Sequence, residues 1–139
     1  TQTKSDQVIL VGHSMGGLAI RAWLRACGDA RAAKIITLGT PHHGTQAPQW
    51  VSTPNGAQMA WGSRWLSDLA QSETPAIRKR MSLAFTQHDN IVYPQLQQQL
   101  EGAKSTEFSG IGHLQMCLDE AVSGWLLREL EGLKLPEIR

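Results

Sequence analysis

The chain has no charge surplus of either sign. Thirteen lysines and arginines face twelve aspartates and glutamates over 139 residues, for a formal net charge of +1. That balance argues against a nucleic-acid surface or an acidic partner. No apolar run is long enough to span a bilayer, no internal repeat is present, and Gln97-Gln98-Gln99 is too short to count as low complexity. Only two cysteines occur, Cys27 and Cys117, and they lack metal-ligand spacing. Cys27 is expected as a buried free thiol on the apolar face of a helix, rather than as half of a disulfide. His42, His43 and His88 fall in no H-E-x-x-H or Cys/His pattern, so no metal site is expected.

What remains is an ordinary globular composition, 41% hydrophobic, in a length that suits one domain with a modest core. Strand-like runs stand at Val8 to Val11, Lys34 to Leu38, Met81 to Phe85 and Ser105 to Phe108. A helix follows the first, with Ile20, Trp23, Leu24 and Cys27 at i, i+3, i+4, i+7, and Gly28-Asp29 as its stop. A last helix is expected from Met116 to Leu130, with Leu118, Val122, Trp125, Leu126 and Leu130 on one stripe. Strands alternating with helices predict an α/β fold with a parallel sheet covered on both faces.

Residues 45–80 break the alternation. They hold Trp50, Trp61 and Trp65, three of the five tryptophans, with Met59, Leu66 and Leu69, and Pro48, Pro54 and Pro75 punctuate them. The segment reads either as a long connection packing its own cluster or as a cap over a site. In the second reading Trp61, Trp65 and Leu66 would meet an apolar substrate.

The chemistry-bearing motif is Gly12-His13-Ser14-Met15-Gly16, entered from the strand Val8 to Val11 and left through helical spacing. A G-x-S-x-G turn between strand and helix is a nucleophile elbow, which exposes the serine hydroxyl above the sheet. Gly12 and Gly16 are expected where side chains would collide, and Gly17 where the helix packs tightly. A serine needs a base to take its proton, and the base needs a third group to fix its tautomer. Asp89 follows the strand ending at Phe85, and His113 lies in a glycine-flanked loop after the strand ending at Phe108. Ser14, Asp89 and His113 therefore stand in the order such a fold requires. Among rivals, Asp68 and Asp119 fall in expected helices, Asp29 follows the elbow helix, and His13 should pack beside the turn.

With Gly12 to Gly17, Leu38-Gly39-Thr40-Pro41-His42-His43-Gly44-Thr45, Gln87 to Val92 and Gly110 to His113 in order, the chain resembles bacterial lipases and esterases of the α/β-hydrolase fold. The resemblance covers about residues 5–130. It implies a carboxylic ester hydrolase with no metal or organic cofactor, an ester or lipid substrate, contact with a lipid interface, and the backbone N–H of Met15 as one oxyanion donor. Acyltransferase and thioesterase chemistry use the same triad. Family members place strands before the elbow and draw a second oxyanion donor from an upstream loop. The 139 residues are therefore expected to be the carboxyl-terminal part of one domain, with 45–80 as a cap inserted in it. Val8 to Val11 would be an apolar edge that pairs with another copy or with an amino-terminal half.

Overall fold

The computed structural model describes residues 6–46, 52–131 and 133. Four strands, β1 (Val8–His13), β2 (Ala32–Leu38), β3 (Met81–Thr86) and β4 (Lys104–Phe108), form a parallel sheet in the order β1-β2-β3-β4. Register aligns Leu10 with Ile35, Ile35 with Met81 and Leu83 with Ser105. Helix α1 (Met15–Cys27) joins β1 to β2, and α5 (Glu120–Glu131) closes the described chain. Three short helices, α2 (Pro54–Met59), α3 (Arg64–Ser72) and α4 (Pro75–Lys79), lie between β2 and β3.

Side chains alternate across a strand, and the two faces of this sheet carry two clusters. Ile35, Met81 and Leu83 pack with Leu24 of α1 and Ile77 of α4. Ile36, Leu38 and Ala84 pack on the opposite face with Val122 and Trp125 of α5. Trp125 adds a polar anchor, its indole N–H donating to the Thr106 hydroxyl at 3.1 Å. All six residues of β3 are buried, whereas Val11 on β1 is 48% exposed. Among the described residues β1 pairs with β2 alone, which leaves its other side as the sheet's edge.

The helices between β2 and β3 begin where sequence chemistry starts them. The Thr53, Ser63 and Thr74 hydroxyls accept from Gly56, Leu66 and Ile77 N–H, and Pro54 and Pro75 occupy first-turn positions that need no amide hydrogen. Met59, Leu66 and Leu69 pack against Leu18 of α1, with Trp65 partly buried beside them. Trp50 and Pro48 lie outside the described residues.

Two expectations are corrected. Cys27 is exposed. The buried stripe of α1 is Gly17, Leu18, Arg21 and Leu24; at about 100° per residue it centres near Arg21, and Trp23 and Cys27 fall to one side. The stripe is turned because Leu66 and Leu69 of α3 cover the opposite flank, at Leu18. The last helix also starts later than its apolar pattern. Gln115–Cys117 is a 3₁₀ turn, Leu118 is 84% exposed, and Asp119 caps α5 by accepting from Ala121 N–H at 2.9 Å. The cap decides the boundary.

Glu129 ties α5 to three strands at once. Its carboxylate accepts from Ser82 of β3 at 2.7 Å, pairs with Lys34 of β2 at 3.1 Å, and meets Lys104 of β4. Burial opposes its charge, but hydrogen bonds from Lys104, Ser82 and Lys34 outweigh that and lower its pKa to about 2. The unfolded carboxyl titrates near 4.5, so this stabilisation is complete above 4.5 and is lost as pH falls towards 2. Glu129→Gln should cost about 1–2 kcal/mol at neutral pH. Its urea midpoint should converge on that of the parent as the solution is acidified. Parallel midpoints at pH 7 and at pH 3 would contradict the assignment.

Candidate active site

The turn after β1 is strained. Ser14 has φ 54° and ψ −125°, and it is the one non-glycine with positive φ among the described residues. Such a conformation costs on the order of 1–3 kcal/mol and persists only where its surroundings impose it. Here Ser14 N–H donates to the Leu38 carbonyl at 2.8 Å, and the Thr40 hydroxyl donates to the Ser14 carbonyl at 2.8 Å. A Cβ on Gly12 would lie 2.7 Å from Gly16 and Gly17 backbone atoms, and one on Gly17 would lie 2.1 Å from Thr40 Oγ1. Both glycines permit the close approach. Gly16 differs from expectation: a Cβ there meets nothing within 4 Å, because its α-carbon borders a cavity rather than the strand.

Asp89 and His113 come together from the ends of β3 and β4. His113 Nδ1 lies 2.7 Å from Asp89 Oδ2, and the two side chains are 2% and 0% exposed, so water does not compete for the pair. The other carboxylate oxygen accepts from Ile91 N–H at 2.8 Å and Val92 N–H at 2.7 Å, which fixes its plane. A carboxylate only accepts, so the proton of a neutral His113 sits on Nδ1 and leaves Nε2 able to take one. The histidine loop is held at further points. Thr86 Oγ1 donates to the Ile111 carbonyl at 2.8 Å, and Gly110 N–H donates to His88 Nδ1 at 2.9 Å. His13 Nε2 donates to the His113 carbonyl at 3.0 Å, joining this loop to the elbow. The Ser14 hydroxyl itself makes no hydrogen bond among the described residues; such contacts are often loose without substrate.

A cavity of about 320 Å³ opens beside His13, Ser14, Met15 and Gly16. Its far wall is Pro41, Thr45, Met59, Ile91 and Val92. Of the three side chains expected to meet substrate, none is on that lining. Leu66 is buried against Leu18 and Leu69, Trp65 packs beside the same cluster, and Trp61 is 46% exposed. The inserted segment reaches the cavity through Met59 instead, because a bridge between Thr45 and Ala60 turns the end of α2 towards the elbow.

Sequence reasoning missed a buried ionic network behind the elbow. Arg21 of α1 pairs with Glu73 at 2.5 Å, Arg78 pairs with the same carboxylate at 2.5 Å, and Arg21 also donates to the His42 carbonyl at 2.9 Å. The signal was an arginine at the centre of an otherwise apolar stripe. Such a charge is retained inside only when paired. His42 is 1% exposed, with Nε2 at 3.0 Å from Thr37 Oγ1 and Nδ1 at 3.5 Å from Arg21. A guanidinium only donates, so Nδ1 accepts and the proton is on Nε2. Burial first, then the Arg21 charge, lowers the His42 pKa well below 6.5. Among the described residues no group of three or more His, Cys, Asp or Glu side chains could hold a metal ion, and no helix is long and apolar enough to cross a membrane.

A family model described as "PGAP1-like alpha/beta domain" matches residues 1–108. No curated protein matches the sequence. Among solved structures, lipase B of Aspergillus fumigatus is similar with a TM-score of 0.63 at 16% identity, over 80% of this chain and 33% of that one. Carboxylesterase CesB (YbfK) of Bacillus subtilis gives 0.60 at 16% identity, over 94% and 62%. A structure described as a predicted CIB-like hydrolase, from Thermoplasma acidophilum, gives 0.56 at 15% identity, over 93% and 53%. These likenesses show the fold, that of the α/β hydrolases. The chain spans between 33% and 62% of the length of the three structures.

His42 should remain neutral through the range in which an ordinary histidine titrates, near 6.5. Its unfolded form gains a proton first, so its share of stability is whole above 6.5 and falls as pH drops below that. Nitrogen-15 NMR should show an Nε2–H imidazole whose shifts hold constant from pH 8 to 6. A shift change midway through that interval would contradict the buried network.

Proposed function

The chain belongs to the PGAP1-like alpha/beta domain family, and from that premise we propose that it carries the nucleophile, acid and base of a serine carboxylic ester hydrolase. The observation that carries the reading is the strained serine turn beside a dry aspartate–histidine pair, all at the carboxyl ends of parallel strands. Ser14 Oγ attacks the ester carbonyl and its proton passes to His113 Nε2. Asp89 holds His113 in the Nδ1–H form and stabilises the imidazolium. The oxyanion takes the N–H of Met15, the first residue of α1, where helix amides lack intrahelical acceptors. Collapse expels the alcohol with the proton from His113, leaving an acyl group on Ser14. Water, deprotonated by His113, then releases the acid.

The cavity is the acyl site in this reading. Apart from Thr45, its far wall of Pro41, Met59, Ile91 and Val92 is apolar, which suits an alkyl chain. Residues 45–80 serve as a cap that contributes Met59 and braces the elbow helix through Glu73. A second reading rests on the sheet's edge at β1. The site then works only when further strands pair there, from an amino-terminal half or another copy, and bring the second oxyanion donor. Loss of one such donor costs roughly 10²–10³ in rate.

Ser14→Ala in the full-length protein should abolish hydrolysis of p-nitrophenyl esters, a loss on the order of 10⁶ in kcat. Asp89→Asn, which favours the wrong imidazole tautomer, should cost roughly 10⁴. Substantial turnover by Ser14→Ala would remove Ser14 from the mechanism, and a near-parental Asp89→Asn would remove the acid.

Ile91→Trp should fill the cavity from its half-buried side. The ratio of octanoate to acetate kcat/KM should fall by around tenfold, on the scale of about 1–3 kcal/mol for a lost pocket contact. Trp65→Ala should leave that ratio unchanged. The reverse pattern would return the acyl site to the tryptophans.

A further inference from the structure

We infer that His13 is a positioning residue that sets the separation between the nucleophile and the base. The inference rests on the triad reading above. Two glycines precede His113 in its loop, Gly110 at φ 74° and Gly112, and the nearest backbone bond, Met116 N–H to the Gly112 carbonyl at 3.2 Å, stays within the loop and does not tie it to the elbow. Side chains hold that loop instead. Thr86 takes the Ile111 carbonyl and His88 takes the Gly110 amide, and both belong to β3 or the acid turn that follows it. They register the base against Asp89. His13 alone among these holds it from the elbow.

The geometry is direct. A carbonyl only accepts, so the 3.0 Å contact from His13 Nε2 to His113 O is an N–H donation. The two imidazoles lie with centroids 4.8 Å apart and planes tilted by 47°, so the rings also buttress one another. His13 precedes Ser14 directly, and its backbone is the last residue of β1, registered opposite Leu38. One residue and one hydrogen bond therefore connect the serine to the base across 99 positions of sequence. Misplacing reacting groups by about 1 Å can cost 10²-fold in rate. A side chain at position 13 must accordingly be long enough to reach that carbonyl and must carry a donor at its tip.

The test uses the full-length protein with His13→Leu, His13→Asn and His13→Gln, with p-nitrophenyl esters as substrate. Glutamine places an N–H near the Nε2 position; asparagine stops one bond short, and leucine has no donor. His13→Leu and His13→Asn should lose roughly ten- to hundredfold in kcat; because His13 also lines the cavity, the readout is kcat at saturating substrate. His13→Gln should recover most of that loss, and thermal midpoints of the asparagine and glutamine variants should agree. If the leucine variant does not fold, the asparagine–glutamine pair decides alone. A parental kcat in His13→Asn, or a His13→Gln as slow as His13→Asn, would overturn the inference. A parent protein whose slow turnover is unchanged by Ser14→Ala would instead overturn the triad reading, and this inference with it.

Discussion

The approach of α1 to the turn after β2 is the constraint on which the site depends. Gly17 and Thr40 meet so closely that any side chain at position 17 would overlap the threonine hydroxyl. That hydroxyl holds the Ser14 carbonyl, while Leu38 holds the Ser14 amide. A serine backbone at φ 54° is thus gripped on both sides by the end of one neighbouring strand. Relaxing it would break both hydrogen bonds and open the elbow. The strain is local, and the parallel pairing of β1 with β2 is what sustains it.

The sheet does the rest of the positioning. Parallel strands point their carboxyl ends the same way, so groups that follow β1, β3 and β4 gather at one edge although they are 24 to 99 residues apart. Side chains then lock the loops together. Thr86, His88 and His13 each hold a backbone group of residues 110–113, and Asp89 holds the imidazole itself. Behind the elbow, the Arg21–Glu73–Arg78 network fixes α1 against the inserted helices, and through the His42 carbonyl it reaches the turn that bears Thr40. Removing one member of a buried ionic set leaves an uncompensated charge, so this brace is costly to alter.

Strand positions were legible because the runs are short and bounded, and the first two are rich in β-branched residues, Val8, Ile9 and Val11, then Ile35, Ile36 and Thr37. Each expected strand lies within an observed one, from Val8–His13 to Lys104–Phe108. The order of Ser14, Asp89 and His113 was legible from their places after strands, and the contact between the last two follows from parallel topology. Where reading failed, tertiary packing had overruled a local pattern. Cys27 and Trp23 have helical spacing, but α3 covers the other flank and turns the buried stripe onto Arg21. Leu118 fits the stripe of α5 but precedes its cap. The lining of the cavity was not legible: hydrophobic mass points to the tryptophans, whereas the Thr45–Ala60 bridge brings Met59 to the mouth. No periodicity encodes a bridge between two loops.

The central claim is that Ser14 is an activated nucleophile. Treating the full-length protein with a fluorophosphonate and mapping the adduct by peptide mass spectrometry tests it most directly. The account predicts one covalent adduct, on Ser14, formed in the parent and absent from the His113→Ala variant. An adduct on any other serine, or equal labelling of Ser14 without His113, would contradict it.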